Sequence, residues 1–441
     1  MDDYRAIADA VAADIAAGRL QPGHRLPPQR RFARDRRIAS STAARVYAEL
    51  TRRGLVTGEV GRGTFVRAGL PPAEPALAEP TAARVDLELN FPVLPGQPEQ
   101  LAAALDGLLR PDALGAALRQ VGVAGAPAAR DAAAELLARA DWRPDPDRIL
   151  FAGNGRQAIA AAVAALVPVG GRLGVEALTY PVVKGIAARL GLTLVPLATD
   201  DEGLLPEALE PAALHAVYVQ PVLHNPLGVT MSRARRSEFA ATVRELDLSV
   251  VEDTIYAFLR DEPPVASAAP EHTVLVDSLS KRLAPGLSLG FVVPPVRLHE
   301  SLASALRSGT WGPQAFALDA AVRWISDGTA HEVQAAKRAD AARRQQLVRE
   351  HLDDFAVHAD PAAYHCWWEL PSHWRAETFV AAAARRGIAV SPAGAFTVGS
   401  GHAPNAVRLA LASPPEPVLA SALHTLAALA RATPEDETAI S

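Results

Sequence analysis

The 441 residues, 49% apolar and 21% charged, are too many for one small core and too apolar for a disordered or fibrous chain, which predicts two or three globular units. The single cysteine, Cys366, excludes an internal disulfide, and the opening MDDYR lacks the basic flank and apolar run of an export signal, so a cytoplasmic location is expected. Apolar stretches such as AIAAAVAALVPVGG are broken by Pro and Gly before they reach bilayer length, and neither a membrane role nor a metal site is expected. The net charge of −5 is unevenly spread: residues 1–68 carry 13 Arg and no Lys against 7 acids, a net of +6, which leaves −11 for the rest. A basic head of this kind suits a polyphosphate partner, because neutralising phosphates and releasing their counterions dominates affinity for DNA.

In chain order, YRAIADAVAADIAA repeats apolar residues at helical spacing from Tyr4 to Ala17 and stops at Gly18, which predicts a first amphipathic helix. Pro22-Gly23 marks a turn, and Pro27-Pro28 open a second, short helix. Ser40, Ser41 and Thr42 offer N-caps for a third helix reaching about Arg53. The run LVTGEVGRGTFV then reads as two short strands around Gly61-Arg62-Gly63, a hairpin with a basic tip. Helix, helix-turn-helix and hairpin within about 65 residues make a winged helix-turn-helix, in which the third helix enters the major groove and the wing touches backbone or minor groove.

The string GRLQPGHRLPPQRRFARDRRIASSTAARVYAELTRRGLVTGEVGRGTFV resembles the GntR-type DNA-binding domain over its whole length. By position, the resemblance implies Arg30, Ser40, Thr42 and Arg45 as base or phosphate contacts, with Gly61, Arg62, Gly63 and Thr64 at the wing. Ala39-Ser40 stands where that family usually opens its third helix with Ser-Arg, so the base preference does not carry over.

Residues 69–87, rich in Pro, Ala and Glu, read as a semi-rigid linker. From residue 88 to 434, Ala/Leu-rich helical stretches alternate with β-branched runs such as LTLVPL, AVYVQP, LSVVED, TVLVDS and LGFVVP. That alternation predicts an α/β domain, a mostly parallel sheet with helices on both faces.

The sequence holds three lysines, Lys184, Lys281 and Lys337. Lys337 lies in AHEVQAAKRADAARRQQ and Lys184 follows TYPVV, and both read as surface residues. Lys281 follows a strand, lies near Ser280, and precedes a Pro-Gly turn and another apolar strand. Desolvation there lowers an amine's pKa, as imine formation with an aldehyde requires.

The motifs around it resemble those of fold-type I aminotransferases, with a small C-terminal α+β subdomain implied, over roughly residues 88–430. SLSKRLAPG matches the lysine loop, so the resemblance implies pyridoxal 5′-phosphate (PLP) bound through a Schiff base at Lys281. VEDTIY matches the Asp-x-x-Tyr motif, with Asp253 paired to the pyridine nitrogen and Tyr256 reaching the phenolic oxygen. In QPVLHNPLG, Asn225 would donate to that oxygen, and Tyr180 falls where the family stacks an aromatic on the ring.

For the phosphate, GNGRQAIAAAV sets Gly155, Arg156 and Gln157 at a glycine-rich turn before a helix, with Ser278 as hydroxyl donor. Ser288 stands where relatives carry an arginine, and Gln120 near where many supply a tyrosine from the neighbouring subunit. Arg156 is expected to replace the missing charge. NAVRLALASP resembles the strand whose arginine grips a substrate carboxylate, which points to Arg408, and SPAGAFTVG resembles the loop before it.

A GntR-type head, a linker and an aminotransferase-like body together resemble the MocR group of regulators. The resemblance implies a head-to-tail homodimer binding a double-stranded operator, with PLP, alone or with an amine or amino acid, changing how the heads fit paired half-sites. The competing reading is an active aminotransferase with an accessory DNA-binding head, and a third is a body that no longer binds PLP.

Overall fold

The computed structural model describes residues 4–16, 19–21, 23–52, 55–59, 63–66, 83–309, 312–399 and 403–434. In the head, α1 (Tyr4–Ala16), α2 (Gln29–Arg36) and α3 (Ser40–Arg52) precede strands β1 (Val56–Glu59) and β2 (Gly63–Val66). The strands pair antiparallel, Val56 opposite Val66 and Glu59 opposite Gly63. Pro28 sits at the N-cap of α2 with φ −54°, preset for the helix it opens. The helix ends on Arg37 in the left-handed conformation. Ala43 N donates to Ala39 O and α3 already begins at Ser40, so the three hydroxyl residues expected as N-caps occupy its first turn. Buried Ala43, Val46, Tyr47 and Leu50 turn one face of α3 onto Val11, Leu26 and Phe32. Phe32 and Tyr47 meet edge to face at 5.2 Å.

Of the stretch expected as linker, residues 69–82 lie outside the described residues, while Val85–Leu87 forms strand β3, parallel to Ile388–Pro392. Val85 and Leu87 are buried with Asp86 between them, the alternation of a strand with one face on a core.

Seven strands form the main sheet: β4 (Leu150–Ala152), β5 (Arg172–Glu176), β6 (Thr193–Leu197), β7 (Ala216–Val219), β8 (Ser249–Asp253), β9 (Thr273–Ser278) and β10 (Gly290–Val293). Their spatial order is β4-β10-β9-β8-β7-β5-β6. Pairing is parallel from β6 through β9 and antiparallel only on the two sides of β10. Every residue of β7 and β9 is buried, as expected for strands covered on both faces.

A second sheet, in the order β11 (Val357–His358), β12 (His365–Glu369), β14 (Ala406–Ala410), β13 (Ile388–Pro392), β3, packs on a core containing Trp368, Trp374 and Phe379. It builds the C-terminal subdomain. Helix α5 (Thr329–Leu352) spans the two units: Ala330 and Val333 enter the core beside the main sheet, while Val348 and Leu352 enter the core of the second.

Lys337, expected at the surface, is fully buried on α5. Asp340 and Arg344 are buried with it, at intervals of three and four residues. A charged sequence there describes an inward polar stripe instead of a solvated face, because main-chain carbonyls of neighbouring loops meet it.

Candidate functional site

Parallel strands deliver their C-terminal ends, and the loops that follow, to one edge of the sheet. There β8 ends in Asp253, β9 ends in Ser278 and leads to Lys281, β7 leads to Asn225, β5 leads to Tyr180, and β4 leads into helix α4 (Gly155–Leu166).

Asp253 is buried, and desolvation pushes its carboxyl up to about 6. Tyr218 Oη donates to its Oδ2 at 2.6 Å, Gln220 Nε2 to the same oxygen at 3.0 Å, and Ile255 N to Oδ1 at 3.0 Å. Tyr218 and Gln220 are two apart in AVYVQ and so share one face of the strand. Sequence reasoning missed both, although that spacing was the available signal.

Lys281 Nζ donates to Asn90 O and lies 4.7 Å from the centre of the Phe91 ring. Burial, with the cationic Arg408 and Arg156, lowers its amine to about 7, and Asp253 offsets part of that shift. Tyr256 is buried, accepts from Asn90 Nδ2 at 3.4 Å and has its hydroxyl pushed up to about 12 by desolvation. Asn225 lies between two partners: its N–H donates to Gln220 Oε1 at 3.2 Å, and its Oδ1 accepts from Arg408 Nη1 at 3.2 Å. Arg408 also donates to Ser391 Oγ at 3.0 Å and to Glu88 O, and it sits 5.1 Å from the Phe396 ring. Its Nε is buried without a hydrogen-bond partner. Asn90 and Phe91, from the segment just after β3, carried no sequence signal for this site.

On the phosphate side, Asn154 caps α4 by accepting from Gln157 N at 3.0 Å, and the Gln157 side chain folds back to accept from Gly153 N. A Cβ on Gly155 would lie 3.1 Å from Ser278 Oγ, so the turn presses against that serine. Ser278 donates to Ser280 Oγ at 3.0 Å, and Ser280 and Ser288 Oγ are linked at 2.5 Å. Arg156 is exposed at the start of α4 and hydrogen-bonds Tyr180. The hydroxyl of Tyr180 is nonetheless pushed up, chiefly by desolvation. Gln120 is exposed. Lys184 is half-buried and donates to Ala395 O and Thr397 O at 2.8 and 2.9 Å, which fixes the loop before β14.

This donor set fits PLP. A buried carboxylate held by two side-chain donors suits a pyridinium nitrogen, a desolvated amine suits an aldehyde, and a glycine turn with serines at a helix start suits a phosphate. Two buried histidines missed from sequence stand behind it: His224 Nε2 lies 3.2 Å from Glu176 Oε2, and His365 Nε2 bonds His224 O at 3.0 Å. His365 packs 5.5 Å from the Tyr256 ring, and desolvation lowers it to about 3, so it is neutral. A cavity of about 1150 Å³ lined by Arg233, Arg236, Arg260 and Asp360 holds none of these site residues.

In the head, Arg30, Ser40 and Arg45 are exposed, Thr42 is half-buried, and the Arg45 guanidinium lies 6.0 Å from the Tyr4 ring. Gly63 has φ +125°, and a Cβ there would meet the Arg25 side chain at 2.7 Å. Thr64 is half-buried on β2, while Gly61 and Arg62 lie outside the described residues. Among the described residues no helix is long and apolar enough to cross a membrane.

Residues 86–426 match the family described as Aminotransferase class I and II, and residues 3–66 match Bacterial regulatory proteins, gntR family. The chain is 31% identical to "Uncharacterized HTH-type transcriptional regulator YdeF" of Bacillus subtilis, over 93% of this chain and 90% of that one. It is 26% identical to "Vitamin B6 salvage pathway transcriptional repressor PtsJ" of Salmonella typhimurium, over 85% of this chain and 87% of that one. Its fold is that of LysN, the α-aminoadipate aminotransferase of Thermus thermophilus, solved with N-(5′-phosphopyridoxyl)-L-leucine: TM-score 0.72, 21% identity, 81% of this chain and 93% of that one. With a gntR-family DNA-binding domain joined to a class I and II aminotransferase domain whose cofactor is PLP, the chain belongs to the MocR-type transcription regulators.

Proposed function

We propose that this regulator senses PLP through Lys281, alone or together with an amine or amino acid, and that occupancy of the site changes how a homodimer presents its two heads to paired half-sites on cytoplasmic DNA. The observation that carries this reading is one chain's pairing of a desolvated Lys281 amine, lowered to about 7, with a head whose α3 carries exposed Ser40 and Arg45.

When bound, PLP supplies an aldehyde and an electron-withdrawing ring. Lys281 offers its unprotonated amine to that aldehyde near neutral pH, because burial has already removed the preference for the charged form. Asp253 would hold a proton on the pyridine nitrogen, and Tyr218 and Gln220 keep its carboxylate aimed. Tyr256 and Asn225 would hold the phenolic oxygen, and Tyr180 would face the ring. Gly155, Arg156, Gln157, Ser278 and Ser288 would receive the phosphate. Arg408, with Nε buried and unpartnered, would take an effector carboxylate.

An effector that stabilises one arrangement of the heads must be bound more tightly when DNA selects that arrangement. The test is PLP titration of the full chain followed by visible absorbance, with borohydride trapping to locate the label. Label on Lys281 and none in Lys281→Ala supports the reading, and label on Lys184 or Lys337 overturns it. The retained Asp253 and Arg408 favour a second reading, a working aminotransferase, which ping-pong turnover of an amino donor and a 2-oxo acid would establish.

A further inference from the structure

Lys337 has no part in the site as described, yet it is a fully buried amine beside it. Its Nζ donates to Lys281 O at 2.9 Å and to Leu283 O. Gln334, one turn earlier on α5, accepts from Arg282 Nη1 at 2.7 Å. Gln97 Nε2 supplies a further donor to Leu283 O at 3.0 Å. One helix thus grips three consecutive residues of the lysine loop, two by their carbonyls and one by its side chain. The same helix holds the C-terminal subdomain: Tyr364 Oη donates to Lys337 O at 2.9 Å, Arg344 donates to Pro414 O at 2.7 Å, and Gln345 Nε2 donates to Ala363 O at 2.7 Å.

We infer that Lys337 is a positioning residue, whose buried amino group fixes the backbone of the Lys281 loop and ties it through α5 to the C-terminal subdomain. The inference rests on Lys281 being the PLP lysine. Burying an ammonium is costly unless its hydrogen bonds are met. Here two carbonyls of one short loop meet the Lys337 amino group, so the loop's position is set by the same contacts that satisfy the buried donors. Desolvation, and after it the neighbouring Lys281, lowers the Lys337 amine to about 7, while Asp340 opposes them.

The test uses the full chain with PLP as the probe. Amide hydrogen exchange of the segment 279–289 and the PLP dissociation constant are measured in wild type, Lys337→Met and Lys337→Arg. Lys337→Met is expected to speed exchange in 279–289 at least tenfold, leave helix 155–166 unchanged and weaken PLP at least tenfold. Lys337→Arg keeps donors for both carbonyls and is expected to recover most of each effect. Wild-type exchange and affinity in Lys337→Met overturn the inference, as does equal loss of fold in both variants, which makes the residue a general core element. Lys281→Ala run in parallel separates the two claims. An unchanged visible band there defeats the lysine assignment, whereas its loss there with no effect of Lys337→Met defeats only this inference.

Discussion

Arg282 and Asp277 close on each other at two points, Nη2 to Oδ2 at 2.7 Å and Nε to Oδ1 at 3.1 Å, and both residues are buried. The third guanidinium nitrogen goes to Gln334 Oε1 at 2.7 Å and Leu136 O at 3.3 Å. The arginine next to Lys281 is therefore committed to the frame behind the lysine loop. Removing one partner of a buried pair leaves the other uncompensated, at about 3–5 kcal/mol. Arg282→Ala should lower stability by that order in denaturant unfolding of the PLP-free protein. Unchanged stability with selectively weakened PLP binding would show that this residue serves the phosphate.

Phosphate recognition should then depend on Arg156. Backbone amides at a helix start compensate about half a charge, while the phosphate carries nearly two. One charge-assisted hydrogen bond is worth about 1.5–3 kcal/mol, or roughly 10- to 150-fold in affinity. Arg156→Ala should weaken PLP at least tenfold and Ser288→Arg should partly restore it, while pyridoxal without phosphate binds wild type and Arg156→Ala alike. Equal PLP affinity of wild type and Arg156→Ala refutes the assignment.

The amine of Lys281 gives a pH signature. Its ordinary value of 10.5 falls to about 7 in the folded chain, so between those values the unfolded chain holds a proton that the folded one has released. Raising pH through that window favours the folded state, and the burden is greatest below about 7. Lys281→Met should accordingly stabilise the PLP-free protein most at pH 6 and progressively less toward pH 10. The rate of PLP capture by wild type, read by stopped-flow absorbance, should rise through about pH 7 and then level off. A midpoint near 10 would mark an ordinary solvated lysine.

In the head, Arg30 and Arg45 are exposed, and as phosphate contacts they would carry no base preference. Replacing either with Ala in the full chain should weaken binding to all duplexes alike and reduce the slope of log K against log salt by about 1. A substitution that changes the preferred sequence while leaving the slope intact would reassign that residue to base contact.

The meeting of the strand-end residues was legible because motif order encodes it: a residue just after a parallel strand must emerge at the same edge as its counterparts, which places Asp253, Lys281, Asn225 and Tyr180 together. Alternation within one strand also carries Tyr218 and Gln220 to Asp253, although no motif flags them. Asn90 and His365 were not legible, because each reaches the site across long stretches of chain and packing alone decides the meeting. Lys337 misled for a definite reason: a helix burying charges against carbonyls has the composition of a solvated one, and only the spacing of Lys337, Asp340 and Arg344 marks the difference.

The most direct measurement is the dissociation constant of the full chain for its operator, determined at fixed salt with and without saturating PLP, in wild type and in Lys281→Ala. The account predicts that PLP shifts the wild-type constant several-fold, that operator DNA shifts the PLP constant by the same factor, and that Lys281→Ala loses both shifts while still binding DNA. A wild-type constant indifferent to PLP, with Lys281 demonstrably carrying the cofactor, would contradict it.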